Sequence, residues 1–188
     1  AIAPSYYMAD DYNKEGAIVS TKCDINKNVS RLRSGQYDKM IVLVNRYDGI
    51  DLPDNSCRIL IIDSLPFSNL LSERYEMQCR ENSEIMNLKI AQKIEQGIGR
   101  SVRGEKDYSA IILIGSDLVK FVMSRRTSSF FSQQTQKQIE LGLEIAEDAK
   151  IEAKEGKEYI PFVDLLKLFL SRDLDWKEYY KRKMDSII

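Results

Sequence analysis

The sequence predicts an α/β fold, a parallel sheet flanked by helices with a helical extension at the carboxyl end, and two observations lead there. First, three short apolar runs, Met40-Ile41-Val42-Leu43-Val44, Ile59-Leu60-Ile61-Ile62 and Ala110-Ile111-Ile112-Leu113-Ile114, have the length and β-branched content of strands buried on both faces. Second, helix-length polar and amphipathic segments, about 24–34 and about 83–103, precede the first run and separate the second from the third. Strand alternating with helix favours right-handed crossovers, and so a doubly wound parallel sheet.

Taken in order, Ala17-Ile18-Val19 is a weaker fourth strand. The three stronger runs are expected as neighbouring parallel strands whose carboxyl ends share one edge, the place where ligands gather in such sheets. The segments that leave the runs support that: Asn45-Arg46-Tyr47-Asp48-Gly49-Ile50-Asp51-Leu52-Pro53, then Asp63-Ser64-Leu65-Pro66-Phe67, then Gly115-Ser116-Asp117, all polar or turn-forming. Beyond about residue 116 the strand signal stops. Ser132 to about Lys157 reads as a long helix with a weak apolar face through Ile139, Leu143, Ala146 and Ile151, interrupted by Gly142. After Gly156 and Pro161, Phe162–Leu170 reads as a well-buried helix, followed by the aromatic and basic Trp176–Lys183. The expected organisation is an α/β domain over 1–122 and a helical extension over 123–188.

Composition narrows the chemistry. With 188 residues, 43% hydrophobic and 30% charged, the chain can bury a sizeable core, and no apolar run approaches the roughly 20 residues of a membrane-spanning helix. Lys+Arg number 28 against 29 Asp+Glu, so any nucleic-acid surface is local rather than a global basic field. The absence of histidine removes Ser-His-Asp and Cys-His catalysis and the commonest zinc ligand. Cys23, Cys57 and Cys79, odd in number and widely spaced, suit an intracellular, reducing, cytoplasmic setting and read as buried or inert thiols, with no metal-ligand spacing near them. The opening Ala1-Ile2-Ala3-Pro4-Ser5 has no initiator Met and no basic leader, and reads as a piece of something larger.

Gln96, Arg100 and Arg103, at offsets of four and seven, fall on one narrow helical stripe, with Ile94 and Ile98 opposite. Two guanidiniums side by side suit a polyphosphate, because each binds phosphate oxygens bidentately and never loses its charge. By itself the stripe reads as a solvated polar face with incidental charges; its combination with Gly49-Ile50-Asp51 at a strand exit changes the balance.

Gln96-Gly97-Ile98-Gly99-Arg100-Ser101-Val102-Arg103 resembles motif VI of superfamily 2 helicases, Gln-x-x-Gly-Arg-x-x-Arg. The stretch Asn45–Pro53 resembles their motif V, and Leu65-Pro66-Phe67 sits where the DNA-repair and damage-inducible branch carries Leu-Pro-Phe. Ala3-Pro4-Ser5 looks like the end of the motif IV strand. Order and spacing agree across about 1–118.

The resemblance implies the second, carboxyl-terminal RecA-like (P-loop NTPase-like) domain of a DEAD/DEAH-type helicase, hence ATP and Mg2+ as cofactors, held mainly by an amino-terminal RecA-like lobe of the same protein. Neither the P-loop pattern nor an Asp-Glu box of that lobe occurs in these 188 residues, so the chain alone is expected to be inactive. The resemblance further implies Arg100 and Arg103 as catalytic arginine fingers, and Gln96, Gly49 and Asp51 on the ATP side, with Asp51 near the ribose. It puts Ser5, Asn45 and Arg46 on the nucleic-acid track, DNA being favoured over RNA by Leu65-Pro66-Phe67. The competing reading is a non-unwinding RecA-like interaction or translocase module of a restriction or defence complex.

Other residues have plainer readings. Tyr6, Tyr7 and Tyr12 can stack on bases, but as aromatics following a strand they read as packing elements. Arg125-Arg126 reads as solvated, the seven carboxylates between Glu140 and Glu158 as an exposed helix face, and Lys177–Lys183 as a local phosphate-contact candidate.

Overall fold

A computed structural model describes residues 1–50, 52, 56–66, 71, 75, 79, 83–99 and 108–185. The described residues form two compact units, Ala1–Phe131 and Ser132–Ile188. The first unit runs on past 122 because Phe121 and Phe131, both buried, meet edge to face with ring centroids 6.0 Å apart.

The first unit holds β1 (Ile2–Ala3), α1 (Tyr6–Lys14), β2 (Ile18–Ser20), α2 (Ile25–Arg33), β3 (Ile41–Val44), β4 (Ile59–Asp63), α3 (Glu84–Ile98), β5 (Ala110–Ile114), α4 (Ser116–Met123) and the short α5 (Arg125–Ser128). The sheet is all parallel, in the order β2-β3-β1-β4-β5. The apolar runs are strands of one sheet, and β4 lies beside β5 as expected. However, β3 and β4 are not neighbours: β1 lies between them, pairing Ile2 with Leu43 on one side and with Ile62 on the other. A two-residue strand carries no periodicity, so hydropathy alone could not place it.

Alternation through the sheet sends side chains to two covered faces. Ala3 and Val42 form a core with Ala9 of α1, with Met8, Tyr12, Ala17, Val19 and Val44 packed around it. On the other face Ile2 and Ile62 meet α3, whose Ala91, Ile94 and Gly97 are buried. Helix α1 starts at Ser5, whose Oγ accepts from Met8 N at 3.3 Å, and this cap sets the first turn just beyond β1.

The second unit contains α6 (Gln133–Glu152), α7 (Ile160–Leu170) and α8 (Leu174–Asp185). Ser132 caps α6 by accepting from Thr135 N. The buried side of α6 is Thr135, Leu141 and Ala149, whereas Leu143 and Ile151 of the expected apolar face are exposed. Helix α7 forms where expected but buries none of its residues: Phe162, Val163, Leu168 and Leu170 are all exposed. Apolar composition announced a helix without specifying what covers it. Lys183 of α8 donates to Glu144 of α6 at 2.6 Å, and Gln138 Nε2 to Tyr180 Oη at 3.2 Å. The seven carboxylates between Glu140 and Glu158 are exposed, as expected of a solvated face. Among the described residues no helix is long and apolar enough to cross a membrane.

Candidate functional site at the carboxyl edge of the sheet

The sheet order places four exits side by side, after β3, β1, β4 and β5. Backbone hydrogen bonds stitch them together: Asn45 N donates to Ala3 O at 2.8 Å and Ser64 N to Ile114 O at 2.9 Å. Three of the four turn through the left-handed region immediately after the strand, at Asn45 (φ 51°), Ser64 (φ 60°) and Gly115 (φ 96°). For a residue with a Cβ that conformation costs roughly 1–2 kcal/mol, and it persists only where neighbours over-determine it.

Those neighbours are visible at Ser64. Its Oγ donates to Asp63 Oδ1 at 2.8 Å, while Tyr12 Oη from α1 donates to Asp63 Oδ2 at 2.8 Å. Asp63 is buried, so the two donors offset the cost of taking its charge out of water. Burial, then the bond to Asp63, raises the Tyr12 hydroxyl pKa well above its ordinary value. A Cβ on Gly115 would lie 2.7 Å from Ser64 Oγ and 3.0 Å from Ser64 Cα, so only glycine allows the β4 and β5 exits to approach this closely. Asp117 then accepts from Leu65 N at 3.2 Å and Leu118 N at 2.8 Å.

The β3 exit is held by Tyr47. Its side chain is fully buried although it stands in the middle of a polar loop. A Cβ built on Gly97 of α3 would meet Tyr47 Cδ1 at 3.1 Å and Ile62 Cδ1 at 3.4 Å, and Lys93 Nζ lies 5.6 Å from the Tyr47 ring centroid. Burial, with Asp63 and Asp117 adding to it, pushes the Tyr47 hydroxyl pKa upward. The ring therefore seats the Asn45–Ile50 loop against the helix that bears Gln96. Nothing in the hydropathy pattern marked Tyr47, Gly97 or Asp63, because each takes its role from a segment distant in sequence.

The expected site residues are spread along this edge. Ser5 lies at the β1 exit, Asn45 and Arg46 at the β3 exit, Gly49 further along the same loop, and Gln96 is exposed on α3 beside buried Gly97. Asn45 Oδ1 is buried with no hydrogen-bond partner among the described residues. Gly49 adopts φ 74° with open space where a Cβ would stand. Asp51, Arg100, Arg103 and Phe67 lie outside the described residues. Of the tyrosines, Tyr12 is a packing and bonding element as expected, but Tyr6 and Tyr7 are not packed: they are 53% and 87% exposed. The cysteines also depart from expectation, since Cys23 and Cys79 are exposed and only Cys57 is partly buried. Arg125 and Arg126 are exposed, in line with a solvated pair. Among the described residues no group of three His, Cys, Asp or Glu side chains comes together to hold a metal ion.

Residues 10–138 match the helicase C-terminal domain family. The chain is 38% identical over 79 residues to the regulator of telomere elongation helicase 1 homolog of Culex quinquefasciatus, covering 35% of this chain and 8% of that protein. It is 35% identical over 82 residues to the homolog of the same name from Drosophila ananassae, covering 37% of this chain and 8% of the relative. The corresponding Aedes aegypti protein is 37% identical over 79 residues, again 35% of this chain and 8% of the relative. The matched stretch is thus about a third of this chain and a small fraction of the relatives' length.

Proposed function

Because this chain belongs to the helicase C-terminal domain family, as a second RecA-like lobe of the superfamily 2 DEAD/DEAH type in the DNA-repair branch, we propose that it is the carboxyl-terminal motor lobe of an ATP-dependent helicase or translocase acting on DNA. The observation that supports this most is the packing of Tyr47 on Gly97, which puts the β3 exit loop beside the helix leading to the arginine motif. Gln96, on the exposed side of that helix, couples nucleotide state to closure of the two lobes. Arg100 and Arg103 come after it at offsets of four and seven and serve as arginine fingers. Asp51 lies near the ribose.

The conformation of Gly49 supports its place on the ATP side. Gly49, with φ 74° and no neighbour where a Cβ would stand, leaves its backbone approachable. ATP with Mg2+ would be held mainly by the amino-terminal lobe and would supply phosphoryl transfer to water, with Gln96, Gly49 and Asp51 contributing this lobe's side of the site. Ser5, Asn45 and Arg46 lie at the neighbouring exits, where the Arg46 guanidinium supplies a cationic contact to the nucleic-acid backbone.

The test is kinetic. In a protein carrying both lobes, Arg100→Ala or Arg103→Ala lowers kcat for ATP hydrolysis by about 10³–10⁵, with little change in KM, because the fingers act on charge that develops in the transition state. If kcat held and KM rose, the arginines would be ground-state binders and the finger assignment would fail.

A further inference from the structure

Among the described residues of this edge, the exposed pair Tyr6 and Tyr7 is accounted for neither by packing nor by the phosphate-side residues. Both stand in the first turn of α1, immediately beyond β1 and the Ser5 cap. Beside them, Asn45 N bonds to Ala3 O, so the first turn of α1 and the Asn45-Arg46 exit are neighbours on the same edge. Tyr12, further along α1, shows what a packed tyrosine on this helix looks like: its ring joins the core cluster and its hydroxyl reaches Asp63. Tyr7 does neither, and at 87% exposure it holds a large flat ring in solvent.

Resting on the nucleic-acid reading above, we infer that Tyr7, with Tyr6 beside it, is a stacking platform for the bases of a single strand crossing this edge. The charge distribution assigns the two sides of the strand. Asp10 and Asp11 lie one turn after Tyr6 and Tyr7 on the same helix faces, each in an ion pair with Lys14 at 3.1 and 3.0 Å. A surface carrying two carboxylates and one ammonium does not attract a phosphate, but an uncharged base face suffers no penalty there. The phosphates run instead past Ser5 and Arg46, and the bases turn toward the rings. Stacking of this kind is sequence-tolerant, because every base has a π-face.

The test uses this 188-residue chain and two labelled strands of equal length, oligo(dT) and an abasic strand with the same sugar-phosphate backbone. Tyr7→Ala, at a site too exposed for the change to disturb the core, should weaken binding of oligo(dT) by about five- to hundredfold and leave the abasic strand unaffected. Tyr7→Phe should bind both like the wild type, since the ring face is retained. Equal weakening for both strands, or no weakening for either, overturns the stacking role while leaving the nucleic-acid track intact. If the wild-type chain binds neither strand, the reading of this edge as a track falls, and the inference with it.

Discussion

Helix α3 of the first unit and helix α6 of the second each carry a glycine inside the helix, and the two glycines do different work. Gly97 is buried against Tyr47, Ile62 and Ile2, and is the point where helix, loop and sheet close on one another. Gly142 has nothing within 4 Å of where its Cβ would stand. The contrast extends to the units that hold them. The sheet and the elements packed on it give the first unit fully buried anchors, Ile2 and Ile62 on strands, Ile94 on α3 and Tyr47 in the β3 exit loop, whereas α7 and α8 of the second unit bury no residue fully and α8 is tied to α6 by the exposed Lys183–Glu144 bond. The difference shows where this chain invests its close packing: around the sheet edge that bears the candidate site.

The largest expected effect breaks that comparison open. Gly97→Ala places a methyl 3.1 Å from a Tyr47 ring that is itself 0% exposed and has no room to yield, so the variant should lose about 1–2 kcal/mol in chemical denaturation even after the helix-propensity gain. Gly142→Ala should gain about 0.5–1 kcal/mol, because it removes backbone freedom from the unfolded chain and meets no neighbour. Equal signs for the two would mean that Tyr47 is not held as tightly as its burial indicates.

A smaller effect sharpens the same point at the other end of the edge. Tyr12→Phe keeps the ring in the α1 core but removes one of the two donors on buried Asp63, and should cost about 1 kcal/mol at neutral pH. The pH dependence has a definite sign. The Tyr12 pKa is raised in the folded state, so the unfolded chain releases the proton first as pH rises; the stabilisation is complete below about pH 10 and is lost above it. Tyr47 titrates in the same direction. Wild type should therefore lose stability on the alkaline side more steeply than Tyr12→Phe, and identical slopes would mean that neither burial nor the Asp63 bond raises the Tyr12 pKa.

Much of this architecture was legible in the residues. The runs at 40–44, 59–62 and 110–114 are strands because continuous β-branched apolar segments of that length suit a sheet covered on both faces, and Ala17–Val19 coincides with β2 to within a residue. What periodicity could not supply was β1, two residues long, and with it the separation of β3 from β4. The exposure of α7 was equally hidden, since a run such as Phe162–Leu170 records that a helix is apolar and not whether anything covers it. At the candidate site, Ser5, Asn45, Arg46, Gly49 and Gln96 are the residues that motif order names, and the structure shows where each lies. The groups that position them, Tyr47, Gly97 and the Tyr12–Asp63–Ser64 bonds, were not legible, because each depends on two segments distant in sequence meeting at one edge.

In the proposed function this edge is half of an ATP site, with the phosphate-binding loop and catalytic acid in another lobe. ATP turnover by a clean preparation of the 188-residue chain tests it most directly, with Arg103→Ala measured beside it. No steady hydrolysis above the buffer blank is expected, with or without a nucleic-acid strand, for either protein. Steady turnover by the wild-type chain that disappears in Arg103→Ala would place the whole catalytic site within these residues and contradict it.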